Sequence, residues 1–72
     1  MLQQKLGRRI AELRRLRKLT QEQLAEAIGC SVEFISLVER GINAPSVAGL
    51  EKFAEALKIE VKELFNFVEK KR

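Results

Sequence analysis

The side chains that enzymes use for acid–base and metal chemistry are scarce in this 72-residue chain. It has no histidine, and so lacks the usual general base near neutral pH and the commonest metal ligand. A single cysteine cannot form a zinc site or an intrachain disulfide. The spacing of Gly41 and Gly49 resembles no phosphate-binding loop. We therefore expect a protein that is not an enzyme and that carries no metal or cofactor.

Charge is the chemistry that the chain does offer. Its 14 Lys and Arg residues outnumber its 10 acidic ones, and the net charge of +4 favours a polyanionic partner. Half of the basic residues lie between Lys5 and Lys18, and three more end the chain. The alternative is that these clusters are only a solvated helix face and a charged tail.

Apolar residues recur at helical spacing in five segments, which predicts an all-α fold, a compact five-helix bundle. The first helix is expected from about Gln3 to Lys18. The length fits one domain, residues 1–72, with residues 66–72 as a tail. The expected inward positions are Leu6, Ile10, Leu13, Leu16, Leu24, Ala25, Ile28, Ile35, Val38, Leu50, Phe53, Ala54 and Leu57, and the short fifth helix carries Val61, Leu64 and Phe65.

The segment between Thr20 and Gly41 predicts two short helices joined by a tight turn. Thr20 and Gln23 fit a capping box at the start of the second helix. Gly29 ends that helix, because glycine adopts a left-handed conformation without a Cβ penalty. Ser31 is the expected N-cap of the third helix, which ends at Gly41.

The turn between these helices has small residues where the helices must cross. Ala25 and Gly29 allow a close approach, and Ile35 supplies the buried side of the third helix. This is the layout of a helix-turn-helix, whose second helix can project into the major groove of DNA. An ordinary corner between two packed helices is the alternative that these three residues leave open.

An ordered series of residues extends the pattern over nearly the whole chain. This series resembles the Cro and phage-repressor type of helix-turn-helix, which includes xenobiotic-response-element regulators and restriction–modification controller proteins. The resemblance covers Gly7 to about Phe65. The residues that carry it are Leu13-Arg14, Leu19-Thr20-Gln21-Glu22-Gln23-Leu24-Ala25, Gly29, Ile35-Ser36, Glu39-Arg40-Gly41 and Pro45-Ser46.

The resemblance implies roles for several polar residues. Gln21 looks like the residue that contacts a DNA phosphate at the start of the second helix, and Arg40 like the one at the end of the third. Arg14 and Asn43 are expected to contact phosphates as well. Arg14 and Glu39 resemble a pair that ties the first helix to the third, since a partly buried carboxylate needs a cation. A solvated Glu39 is the alternative.

The exposed face of the third helix is expected to read the bases. Val32 and Leu37 could contact thymine methyl groups, and Glu33 could accept a hydrogen bond from cytosine N4. Many relatives carry Gln, Arg or Lys at these three positions, so the chain departs from the common pattern here. The full base-reading set is Ser31, Val32, Glu33, Ser36 and Leu37.

One such domain touches only a few base pairs, so useful specificity needs two copies. We expect a transcriptional regulator, a repressor or an activator, that binds double-stranded DNA as a homodimer on a near-palindromic site. The resemblance places the dimer contacts around the fifth helix. The residues nominated for them are Val61, Phe65, Phe67 and Val68.

A protein-interaction module is the second hypothesis, for example an antitoxin that binds a toxin and regulates its own synthesis. Val32, Phe34 and Leu37 would then form an apolar patch for that partner. Cys30 is expected to plug the space between helices, with a redox switch as the alternative. The absence of a signal peptide or membrane span favours the cytoplasm, with nucleoid association when bound, and neither a membrane nor a small-molecule partner is expected.

Overall fold

The computed structural model describes residues 1–67, which fold entirely into helices and connecting turns. The all-α prediction is confirmed, but the expected fifth helix is a five-residue 3₁₀ turn, a form that is rarely longer. The elements in chain order are α1 (Leu2–Leu16), α2 (Gln21–Ile28), α3 (Val32–Glu39), α4 (Val47–Leu57) and the 3₁₀ turn (Val61–Phe65).

Local capping sets the ends of α2 and the start of α3 as predicted. The Thr20 hydroxyl accepts the backbone N–H of Gln23 at 3.0 Å, and the Gln23 side chain accepts that of Thr20 at 2.9 Å. Gly29 ends α2 with a φ of 88°, in the left-handed region. The Ser31 hydroxyl then accepts the N–H of Phe34 at 3.0 Å and starts α3. These bonds fix the tight turn between the two helices.

One hydrophobic core joins all five elements. It consists of Leu6, Ile10, Leu13, Leu24, Ala25, Ile35, Val38, Phe53, Ala54, Leu57 and Leu64.

Two expectations about α1 are wrong. Leu16 is 69% exposed rather than inward, and α1 ends at Leu16 rather than at Lys18. Arg17 caps the helix and turns toward the end of α4, where its guanidinium donates to the carbonyls of Leu57 at 2.7 Å and Lys58 at 3.0 Å. Arg17 thus ties the C-termini of α1 and α4 together.

Gly7 is the point where α1 and α3 approach most closely. A Cβ atom there would press on the carbonyl oxygen of Val38 and lie 2.8 Å from that of Glu39. We predicted such a helix–helix contact at Gly49, which was wrong: its neighbours are Pro45 and Ser46, in the turn just before it. The contact at Gly7 places the end of α3 directly against α1.

Candidate nucleic-acid interface

The two sides of α3 differ sharply. Ile35 and Val38 are buried in the core, which leaves the opposite side of the helix free. Val32 is 42% exposed, and Glu33 is also exposed. The first turn of α3 therefore presents side chains outward from a helix that is anchored from behind.

The rest of the predicted base-reading set is less uniform. Ser31 is exposed, but its hydroxyl oxygen already accepts the capping bond. Ser36 and Leu37 are only half-buried, and the Leu37 carbonyl accepts the N–H groups of Ile42 and Asn43 at 2.9 and 3.3 Å. The outward surface of α3 is thus most open near its N-terminus.

The Glu39 carboxylate is the centre of a hydrogen-bonded cluster at the C-terminus of α3. Arg14 donates to it twice, from Nε at 2.7 Å and from Nη2 at 3.2 Å. Gln21 Nε2 donates at 2.9 Å to the same oxygen that Nη2 contacts. The two charged side chains are 12% and 6% exposed for Arg14 and Glu39, respectively. The structure therefore brings α1, α2 and α3 together at one largely dehydrated ion pair.

Arg14 is held in this cluster by a further bond. Its Nη1 donates to the carbonyl of Leu19 at 2.8 Å, in the segment that leads into α2. The guanidinium thus uses each of its three nitrogens inside the fold. This geometry gives Arg14 a positioning role, and it is not placed on the open surface as a phosphate contact would be.

The other residues expected to contact phosphate are more accessible. Arg40 is exposed at the end of α3, and Asn43 is exposed in the loop that follows. Gln21 is half-buried at the start of α2, with one N–H directed to Glu39 and the rest of its amide uncommitted. Gln21 and Arg40 line one groove together with Ser36, so the structure brings these three side chains to the same surface.

Cys30 lies in the turn just before α3. It is half-buried and packs against the hydrophobic core. Burial raises the pKa of its thiol, and the positive charge of Lys52 opposes that shift more weakly. A raised pKa keeps the group in its unreactive thiol form near neutral pH, which favours the packing role.

The residues nominated for a dimer contact form a small apolar patch at the 3₁₀ turn. Val61 is 38% and Phe65 36% exposed. The half-buried Phe67 meets Phe65 edge to face, with ring centroids 6.3 Å apart. Val68 lies outside the described residues.

Metal and membrane features were searched over the described part of the chain. Residues 1–67 contain no group of three or more cysteine and acidic side chains arranged to hold a metal ion. No helix in the same range has both the length and the apolar character needed to cross a membrane.

Comparison with known proteins identifies the family. The helix-turn-helix family model HTH_3 matches residues 10–64. The HTH-type transcriptional regulator YazB of Bacillus subtilis is 43% identical over 58 residues, covering 81% of this chain and 84% of YazB. The immunity repressor protein of Bacillus phage phi105 is 45% identical over 56 residues, covering 78% of this chain but only 39% of that repressor.

Solved structures agree with the sequence relatives. The restriction–modification controller protein C.AhdI from Aeromonas hydrophila is 42% identical, with a TM-score of 0.84 over 86% of this chain and 94% of the controller. The clp gene regulator ClgR from C. glutamicum is 30% identical, with a TM-score of 0.84 over 89% of this chain and 83% of ClgR. The resemblance seen in the sequence is confirmed, and the chain belongs to the Cro and phage-repressor type of helix-turn-helix family, a family of DNA-binding transcriptional regulators.

Proposed function

We propose that this protein is a sequence-specific transcriptional regulator that inserts α3 into the major groove of DNA. The observation that carries the proposal is the two-sided burial of α3, with Ile35 and Val38 in the core and Val32 and Glu33 facing outward. A helix can read base edges only if it projects into the groove while its other side is braced. The α2–α3 turn provides that brace.

Base reading is assigned to the outward side chains of α3. Val32 packs against a thymine methyl group, and Glu33 accepts from cytosine N4. Ser31 and Ser36 each keep a hydroxyl proton that can be donated to a base or to phosphate. Leu37, which is half-buried, contributes apolar contact at the edge of this surface.

Phosphate contacts position the helix in the groove. Arg40 and Asn43 are exposed beyond the end of α3, and Gln21 opens α2, where backbone N–H groups also favour an anion. Arg14 acts through Glu39, whose carboxylate also orients the Gln21 amide. Replacement of Arg40 by alanine then weakens binding to all sequences alike.

The regulator acts as a homodimer of single-domain subunits, in the cytoplasm and on the nucleoid, without a cofactor. The apolar patch of Val61, Phe65 and Phe67, extended by Val68, is the proposed contact between copies. Two-fold symmetry then places two recognition helices in successive major grooves, about 34 Å apart. The name of the phage relative, an immunity repressor, favours repression, which would result from occlusion of the promoter.

Selection of bound duplexes from a random DNA pool tests the proposal. The expected result is a near-palindromic consensus whose half-sites are separated by about one helical turn. Binding should also fall steeply as salt is raised, because phosphate contacts release counterions. Recovery of no consensus, with affinity that is weak and independent of salt, would contradict DNA reading and favour a protein-interaction module such as an antitoxin.

A further inference from the structure

A groove of about 910 Å³ runs between α1 and the C-terminal half of α3, beside the residues already assigned to DNA. Its wall on the α3 side includes Ser36 and Arg40, and Gln21 of α2 also lines it. The wall on the α1 side is strongly basic. The cationic residues that line the groove are Lys5, Arg8, Arg9, Arg15 and Arg40, and the acidic ones are Glu12 and Glu39.

Both acidic residues already have partners within the fold. Glu39 is held by Arg14 and Gln21, as described above. Glu12 contacts Arg9 at 3.2 Å. Arg9 in turn donates to the carbonyl of Glu63 at 2.9 Å, so it is committed to holding the 3₁₀ turn.

The remaining cations of the groove are free within residues 1–67. Lys5, Arg8 and Arg15 are exposed on one side of α1, and we call them the basic row. In the described part of the chain, no carboxylate lies within 4.0 Å of the basic row or of Arg40. The groove therefore carries an excess of positive charge that the fold itself does not neutralise.

We infer that the basic row binds the phosphate backbone of the DNA beyond the bases that α3 reads, which extends the contact made by Gln21 and Arg40. This inference rests on the proposed function. Lys5 and Arg15 are ten residues apart, about 15 Å along the helix. That length corresponds to roughly four phosphates of one strand, which are spaced about 3.4 Å apart along the duplex axis.

Two features favour DNA over other occupants of the groove. The basic row is continuous with the surface of Gln21 and Arg40, so a strand that touches those residues is already at the groove. The chain's own last five residues, 68–72, carry three basic side chains and one acidic one. A segment with that charge is repelled by a basic groove.

The test compares the salt dependence of binding to the selected operator in two variants with equal loss of charge. The test variant is Arg8→Gln/Arg15→Gln, since glutamine keeps helix propensity and length. The control is Lys58→Asn/Lys62→Gln, which lies outside the groove; asparagine tolerates the left-handed backbone of Lys58, whose φ is 61°. Thermal unfolding followed by circular dichroism establishes that both variants fold.

The test variant should lose about 0.9 per phosphate contact from the slope of log affinity against log salt, or about 1.8 for each protomer bound. Extrapolated from 1 M salt, this is about thirtyfold weaker binding at 0.15 M. The same loss is expected on a scrambled duplex, because phosphate contacts carry no sequence information. The control should keep the wild-type slope, and the base preference of both variants should be unchanged.

A wild-type slope in the folded test variant would overturn the inference, and it would leave the proposed function standing if the operator is still recognised. Failure of the wild-type protein to bind any duplex would instead overturn the proposed function, and the inference with it. Binding of a poly-glutamate peptide that the test variant loses, with its DNA slope unchanged, would assign the groove to an acidic protein and would also overturn the inference.

Discussion

Glu39 links three helices through one carboxylate, although its side chain is only 6% exposed. A buried charge is tolerated only when it is paired and hydrogen-bonded, and Arg14 and Gln21 together supply three donors. Because Gln21 opens α2 and Glu39 ends α3, the same cluster sets the position of a proposed phosphate contact. A single residue therefore couples the stability of the fold to the shape of the interface.

Replacement of Glu39 by alanine should destabilise the protein by about 3–5 kcal/mol, because Arg14 would stay buried without its charge partner. Urea unfolding of the variant measures the change. The double variant Arg14→Leu/Glu39→Leu, which removes both charges, should be more stable than Glu39→Ala. Glu12→Ala serves as the control, since its ion pair is exposed and is worth less than about 1 kcal/mol. A midpoint unchanged by Glu39→Ala would show that the pair is solvated in solution.

Glu33 is an acidic residue on a surface proposed to face phosphates, so its carboxylate must either meet a base edge or weaken binding. We expect Glu33→Ala to alter the preference at one base pair of each half-site by about 1–3 kcal/mol. Selection from a random pool with the variant protein reads this change directly. Glu26→Ala is the matched control, because it removes the same charge from an exposed position of α2. Identical consensus sequences for Glu33→Ala and wild type would remove Glu33 from base reading.

The pairing of Arg14 with Glu39 could be anticipated from the sequence, because the family pattern links the two positions. The contacts of Arg9 and Arg17 could not. Both side chains donate to backbone carbonyls more than 35 residues away along the chain. No residue type marks a carbonyl as an acceptor, so these contacts follow only from the way the helices pack. The same reasoning explains why the sequence could not separate the free cations of α1 from the occupied ones.

At the scale of the helices, the starts were easier to predict than the ends. Thr20 and Ser31 cap α2 and α3 through bonds to residues only three positions ahead, so the sequence contains the whole signal. The end of α1 depends instead on Arg17, which turns toward α4. Leu16 illustrates the consequence, since its helical spacing suggested burial but the neighbouring elements do not reach it.

The crossing of α1 over α3 depends on the absence of a side chain at Gly7. Helix propensity alone would favour alanine there by about 1 kcal/mol. We expect Gly7→Ala to destabilise the protein instead, by about 1–3 kcal/mol, since the new methyl group meets the carbonyls of Val38 and Glu39. Urea unfolding gives the sign.

Gly49→Ala is the matched control, because a Cβ atom there is 3.3 Å from the side chains of Pro45 and Ser46 and from no other helix. Its effect should stay within about 1 kcal/mol. A Gly7→Ala variant that is more stable than wild type would show that the two helices can separate at little cost. The spacing between α1 and the interface would then be adjustable rather than fixed.

At the scale of the whole molecule, the proposed surfaces point to different partners. The charged groove and α3 are assigned to DNA, and the apolar patch at the 3₁₀ turn is assigned to a second copy. Phe65 is 36% exposed and Val61 38%, so each can be replaced with limited loss to the core, whereas their fully buried neighbour Leu64 cannot.

The double variant Val61→Ser/Phe65→Ser should therefore remain folded and become monomeric at concentrations where the wild type is a dimer, as measured by sedimentation equilibrium. Its affinity for a full palindromic operator should fall to that for a single half-site, because the link between the two binding events is lost. Leu16→Ser is the control, since it removes a side chain that is 69% exposed on α1 and should alter neither property. A variant that still binds the palindrome as a dimer would place the subunit contact elsewhere on the molecule, and α3 would then have to reach its two half-sites with a different geometry.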